Sequence, residues 1–242
     1  MQYGLYYIGE VTLMPKNIVV LVSGGGTNLQ ALIDAQNRGE IKNGAITAVI
    51  SSRPDAYALE RARKAGIPGH VVARKDFPGN REMTQALVAK LRELKADLVV
   101  LAGFMHLLTE EMISAYPNAI LNVHPALIPS FCGAGYYGLH VHEKVLQYGV
   151  KITGATVHFA SEVPDGGPIV LQKAVEVLEG DTPEVLQRRV MEEAEWEILP
   201  RAVSLFCEGR LSVEGRRVHI RPIIDILREQ NSGNKEDSHG NA

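Results

Sequence analysis

Apolar strands alternating with amphipathic helices along the first half of the chain constrain its fold more than any other feature. Residues 17–22 (NIVVLV) form an unbroken apolar run rich in β-branched side chains, the signature of a strand buried on both faces. Further strand segments are expected at 45–50, 70–72, 96–103 and up to Asn122. Helices are expected at 29–37, at 55–64 with Asp55 as cap and Gly66 as stop, at 81–94, and from a Thr109 cap to Tyr116. Such alternation implies an α/β fold: one Rossmann-like domain, its sheet mostly parallel, with helices on both faces. The second half departs from the pattern. A loop at 131–138 carries three glycines and is expected to be mobile beside the site, and a helix follows at 139–148. Residues 153–159 and 168–172 read as antiparallel strands flanking a turn, so the C-terminal portion is antiparallel. Thr182 then caps a helix with Pro183 in its first turn, expected to run to Pro200 and resume to Cys207.

In parallel sheets ligands gather at the carboxyl ends of the strands, and two unusual segments fall at such ends. After the first strand, Ser23-Gly24-Gly25-Gly26-Thr27-Asn28 leads into a helix. A glycine turn there lets backbone N–H groups converge on an anion beside the helix's partial positive charge. It is neither a Walker A loop nor a clean GxGxxG, and a merely tight turn is the competing reading. The second segment is Asn122-Val123-His124-Pro125. On an extended backbone, residues two apart point the same way, so Asn122 and His124 share a face before Pro125 ends the strand. The turn Val163-Pro164-Asp165-Gly166-Gly167 adds a carboxylate. Amide, imidazole and carboxylate together suit proton handling, with a satisfied core histidine as the plainer alternative.

Composition narrows the classes. Of the 242 residues, 45% are hydrophobic and 22% charged, enough for a full core. The net charge of -3 argues against a nucleic-acid partner. Only Cys132 and Cys207 occur, so no disulfide framework is implied and a reducing cytoplasm is the expected setting. No run is apolar enough for a membrane span, and residues 1–13 do not read as a signal peptide. Met14 is a candidate natural start. Residues 1–13 are therefore expected to be a leader outside the core, 14–221 the domain, and 222–242 a partly disordered tail. A metal at His140, His142 and His158 is disfavoured, since no closing carboxylate or cysteine pattern accompanies them. Cys132 as a nucleophile lacks an evident base.

The segments SGGGTNLQALI from Ser23, LAGFM from Leu101, NVHPALIP from Asn122, GATVHF from Gly154 and DGGPIVLQ from Asp165 together resemble the formyltransferase family. The resemblance extends from about residue 16 to 210 and is closest to members that formylate glycinamide ribonucleotide. It implies transfer of a formyl group from 10-formyltetrahydrofolate to the amine of that ribonucleotide, a step of de novo purine synthesis. No covalent intermediate and no metal are implied. It implies that Asn122, His124 and Asp165 are catalytic, that Gly26, Thr27 and Asn28 hold the ribonucleotide phosphate, and that Glu195 meets the substrate amine. Arg81, Met105, His106, Leu107, Leu108, Ser161, Glu162, Val163, Pro164 and Asp165, with Asn122, would line a largely apolar folate pocket. The partners implied are small molecules, with no nucleic acid and no membrane, and a homodimer is left open. Two departures stand out: Trp196 follows Glu195 where the family often has histidine, and the 131–138 loop is longer than in the commonest members.

The rival within the family is a relative acting on another acceptor: water, as in a formyltetrahydrofolate hydrolase, or methionyl-tRNA. A hydrolase of that type is expected to carry an extra N-terminal domain, whereas residues 1–16 alone precede the first strand. A tRNA enzyme is expected to carry a basic C-terminal domain. A non-catalytic nucleotide sensor, the reading from a different class, would have no use for the amide, imidazole and carboxylate together.

Overall fold

A computed structural model describes residues 15–226, so the expected leader at 1–13 and most of the expected tail lie outside the described residues. The chain builds strand β1 (Lys16–Val22), helix α1 (Thr27–Asn37), β2 (Gly44–Ser51), α2 (Tyr57–Lys64) and β3 (Gly69–Val71). It continues through α3 (Asn80–Glu93), β4 (Leu98–Leu101), α4 (Glu110–Ala115) and β5 (Ile120–His124). Then follow α5 (Leu139–Tyr148), β6 (Ile152–Phe159), β7 (Ile169–Glu176), α6 (Pro183–Val190), α7 (Trp196–Cys207), β8 (Leu211–Glu214) and β9 (Arg217–Ile220). All strands join one sheet in the order β3-β2-β1-β4-β5-β6-β7-β9-β8.

From β3 to β5 every pairing is parallel, and β6 pairs antiparallel with both β5 and β7. This is the expected α/β architecture with its antiparallel C-terminal portion. Alternation along β1 shows how helices cover both faces. Ile18, Val20 and Val22 enter the core formed with Leu29 and Leu32 of α1 and Leu199 and Val203 of α7. Val19 and Leu21 point the other way, into a second core with Met83, Leu87 and Leu91 of α3 and Met112 of α4. From β1 the chain steps outward to β2 and β3, then crosses back to β4 on the opposite side of β1. The loops after β1 and β4 therefore diverge, which opens a crevice at their carboxyl ends.

Three local expectations are corrected. Asp55 does not cap α2: Ala56 holds the cap position, and the Asp55 carboxylate pairs with Arg53 at 2.7 Å. Thr109 sits at the cap of α4, but its hydroxyl is buried without a partner. The late helix breaks not at Pro200 but at Met191–Glu195, a single π-helical turn between α6 and α7. Pro200 cannot donate to the carbonyl four residues back, and the register shift falls one turn ahead of it. The hairpin of β8 and β9 was not anticipated, although Gly215 at φ 58° marks its turn. Thr182 does cap α6, accepting from the Val185 amide, with Pro183 in the first turn. Among the described residues no helix is long and apolar enough to cross a membrane.

The β6–β7 pairing requires glycine at 154, because a Cβ there would lie 2.0 Å from the Lys173 carbonyl oxygen. Gly154→Ala is expected to cost about 1–3 kcal/mol, the usual scale for forced overpacking. At Gly24 a Cβ meets nothing within 4 Å, and Gly24→Ala should be neutral or slightly stabilising. Urea denaturation of both variants tests the contrast, and equal midpoints would contradict it.

Candidate active site

Strand β5 delivers Asn122 and His124 to one face, as their spacing requires. Antiparallel β6 sets His158 directly opposite Asn122, so its side chain stands on that same face. The Asn122 amide lies 3.1 Å from His158 Nε2. The other ring nitrogen, Nδ1, is 2.8 Å from the Phe159 carbonyl. A carbonyl can only accept, so Nδ1 carries the proton and neutral Nε2 accepts from the Asn122 Nδ2–H. The Asn122 side-chain oxygen is thereby turned away from His158.

Asp165, from the turn after β6, reaches both rings. Its Oδ2 lies 3.5 Å from His124 Nδ1 and its Oδ1 lies 3.6 Å from His158 Nε2. The Gly133 amide also donates to Oδ2, at 2.9 Å. Burial pushes the Asp165 pKa up, but the attraction of the two imidazoles in their protonated form and the Gly133 N–H outweigh it and hold the carboxyl below its usual range. His124 moves the opposite way to a simple ion-pair argument. Burial lowers its pKa more than the Asp165 charge and the Phe131 carbonyl raise it. His124 Nε2 faces that carbonyl at 2.8 Å, so its single proton sits there and Nδ1 offers its lone pair toward Asp165. A second proton on His124 would enter between the ring and the carboxylate. His142, behind the site on α5, is fully buried with neither ring nitrogen bonded, and burial pushes its pKa down to about 4.

At the end of β1 the glycine turn meets the late helix. Asn28 Nδ2 donates to Glu195 Oε2 at 2.6 Å across 167 residues of sequence. The π-helical turn swings Glu195 inward, where it is 5% exposed. Burial pushes its pKa up to about 7, against the Asn28 hydrogen bond that favours the charged form. Gly26 is left-handed at φ 72° and heads α1 without a side-chain cap, which leaves the first amides of that helix open. Thr27 is exposed and reaches the Met191 sulfur at 3.7 Å.

After β4, the Met105 amide donates to Ser23 Oγ at 2.9 Å, and Ser23 Oγ lies 2.7 Å from Ser52 Oγ. This ties the 105–108 segment to the end of β1. Met105 and Leu107 are exposed there, while His106 and Leu108 are half-buried. Asn80 of α3 donates to the Leu107 carbonyl at 3.2 Å, which sets exposed Arg81 in the helical turn beside this segment. In the loop after β6, Ser161 donates to the Val163 carbonyl at 2.9 Å, and Glu162, Val163 and Pro164 are exposed. The site residues read from sequence thus fall into three groups, around Asp165, around Glu195 and along two apolar loops. Among the described residues no hydrogen bond or ion pair joins the Asp165 group directly to the Glu195 group.

A family profile described as formyl transferase matches residues 16–203. The chain belongs to the formyl transferase family. It is 42% identical over 197 residues to the phosphoribosylglycinamide formyltransferase of Escherichia coli, covering 81% of this chain and 90% of that one. Glycinamide ribonucleotide transformylase 1 from Symbiobacterium toebii superposes with a TM-score of 0.82 at 47% identity, over 87% of this chain and 96% of that one. A formyltetrahydrofolate deformylase from Pseudomonas syringae superposes at 0.77 with 26% identity, over 86% of this chain and 66% of that one.

Within this formyltransferase fold, His158 is the site residue that motif spacing alone did not single out. Its signal was available: GATVHF alternates Thr156 and His158 on one face of a strand that must pair with the one bearing Asn122. Trp196 lines a groove with Thr27, Gln30 and Arg61, and its indole nitrogen is buried without a partner among the described residues. Cys132 donates to the Pro129 carbonyl, and burial and Asp165 push its thiol pKa up, which opposes thiolate chemistry.

Glu195 makes a pH prediction. Its pKa is about 7 when folded and ordinarily 4.5, so between those values the folded chain retains a proton that the unfolded chain releases. That contribution makes stability fall as pH rises through the window. Glu195→Gln should remove this part of the fall. Urea melts of both proteins from pH 4.5 to 8 test it, and parallel curves would show that Glu195 does not titrate there.

Proposed function

We propose that the protein transfers the formyl group of 10-formyltetrahydrofolate to the amine of glycinamide ribonucleotide, in de novo purine biosynthesis and in the cytoplasm. The observation that carries this reading is the Asp165 carboxylate held between two imidazoles, with Asn122 fixed by one of them. The donor's site fits a flat, largely apolar ligand: Met105 (55% exposed), Leu107 (69%) and Val163 (65%) leave apolar side chains uncovered on two loops. Residues 105–108, Arg81 and 161–165 would hold the donor, which supplies the electrophilic formyl carbon when bound.

Asn122 donates toward the formyl oxygen, where negative charge develops as the amine attacks, and His124 stabilises that charge once it has taken up a proton and become an imidazolium. The amine must also lose a proton. Asp165, kept ionised by its neighbours, and the open Nδ1 of His124 form one acceptor for it. His158 holds the Asn122 amide in its donating orientation. Gly26, Thr27 and Asn28 bind the phosphate through the open end of α1, and Glu195 binds near the amine. Direct attack needs no enzyme nucleophile. The tetrahedral adduct collapses by cleavage of the bond between the formyl carbon and the donor nitrogen that carried it. The proton taken from the amine is returned by His124 to that nitrogen as tetrahydrofolate leaves.

Release of the formyl group to water is the competing reading, suggested by the deformylase likeness. The Asn28–Glu195 pair beside an anion-ready turn favours a phosphorylated acceptor, since water needs neither. Following donor deformylation with and without glycinamide ribonucleotide separates the two, and acceptor-independent turnover would overturn the transfer reading.

Asp165→Asn keeps the shape of the turn but removes the charge. The rate should fall on the order of 10²–10⁴-fold, the scale for losing one proton-transfer group. Without the carboxylate, the His124 pKa drops further, so the imidazolium is lost at a lower pH. Comparing pH–rate profiles checks both effects, and an unmoved profile with retained activity would make Asp165 a turn residue only.

A further inference from the structure

The glycine turn is held from behind by α2, and the way it is held decides which of its atoms face outward. Ala58 of α2 donates its backbone N–H to the Gly24 carbonyl at 3.1 Å. One turn later, Arg61 Nε donates to the Gly25 carbonyl at 2.8 Å. A Cβ at Gly26 would lie 2.6 Å from the Ala58 Cβ, so only glycine lets α2 approach this closely. Both carbonyls are thus drawn toward α2. In a planar trans peptide the following N–H points opposite to the carbonyl, so the amides of Gly25 and Gly26 are turned away from α2. Among the described residues, no protein acceptor takes the N–H of residues 25 to 29. The Gly25 carbonyl would be the natural acceptor for the Leu29 amide as α1 begins, but Arg61 occupies it instead.

The Arg61 side chain is itself fixed. Its Nη1 donates to Gln30 Oε1 at 3.0 Å, and Gln30 Nε2 donates on to Asp34 at 2.9 Å. The guanidinium carbon lies 5.1 Å from the centre of the Tyr57 ring. No carboxylate among the described residues forms an ion pair with Arg61, so its charge stands uncompensated beside the turn.

We propose that Arg61 is a positioning residue for the acceptor's phosphate: it locks the Gly25 carbonyl backward, so that the amides of 25–29 stay converged on the anion. This rests on the reading that the turn binds the ribonucleotide phosphate. Arg61 acts through the backbone, and its effect is specific to the phosphorylated form of the acceptor.

The test compares wild type with Arg61→Gln using glycinamide ribonucleotide, the corresponding ribonucleoside without phosphate, and the folate donor. For Arg61→Gln the KM of the ribonucleotide should rise on the order of tenfold, the scale for losing one charged hydrogen bond. Its kcat, the donor KM, inhibition by the ribonucleoside and the melting temperature should hold. Arg61→Lys should remain impaired, because an ammonium lacks the planar pair of N–H groups that reaches Gly25 and Gln30 together. Full recovery by lysine would reduce Arg61 to a source of charge and overturn the proposal. A loss shared by nucleotide and nucleoside would make it a general structural residue, with the same consequence. If wild type prefers the nucleotide and Arg61→Gln keeps that preference, the assignment of Arg61 alone is wrong. If wild type binds nucleotide and nucleoside equally well, the phosphate reading of the turn fails and takes the proposal with it.

Discussion

Strand β1 is paired in parallel on both sides, with β2 and with β4, and the rest of the molecule follows from that double pairing. A strand so placed exposes no edge, and both its faces must be covered, which accounts for its buried run from Ile18 to Val22. Parallel neighbours also end at the same edge of the sheet. The glycine turn, the segment at 105–108 and the Asn122/His124 pair therefore rise from adjacent strands β1, β4 and β5 without long excursions. Antiparallel β6 then closes the site from its far side, bringing His158 across from Asn122 and returning the chain at the Asp165 turn.

Two carboxyl groups in this arrangement, Asp165 partly buried and Glu195 buried, carry opposite shifts. Asp165 faces two imidazoles and a backbone amide, and these keep it charged despite burial. Glu195 has one neutral amide as partner, too little to offset the loss of water, and burial dominates. The difference lies both in the number of compensating groups and in depth, since Asp165 is only partly buried and Glu195 is almost wholly enclosed. An acid that stays ionised is suited to accepting a proton, and one poised near neutrality can donate or accept a hydrogen bond to a bound ligand.

Much of this was legible in the sequence because the signals were strong and local. Continuous β-branched runs marked the parallel strands, and the two-residue spacing of Asn122 and His124 fixed their common face. What escaped depended on partners distant in the chain. Asp55 has the chemistry of a cap, but Arg53 takes its carboxylate. Pro200 marks trouble in the late helix, yet the register change settles a turn earlier, where it carries Glu195 inward. His158 gained its place only through the register of β5 against β6.

The hydrogen bond between Asn28 and Glu195 joins the first helix to the π-helical turn that leads into α7. A half-site assembled from α1 alone would lack its acidic wall, and one from α7 alone would lack its amides. If this junction receives the acceptor as proposed, recognition depends on both elements being in place, and a partly folded intermediate missing either would offer the ribonucleotide an incomplete site. By mass action, any ligand that occupies this junction stabilises the fully closed fold over states in which the C-terminal helices have come loose. A pool of such a ligand would then act as a restraint on local opening at the seam between α1 and the late helices.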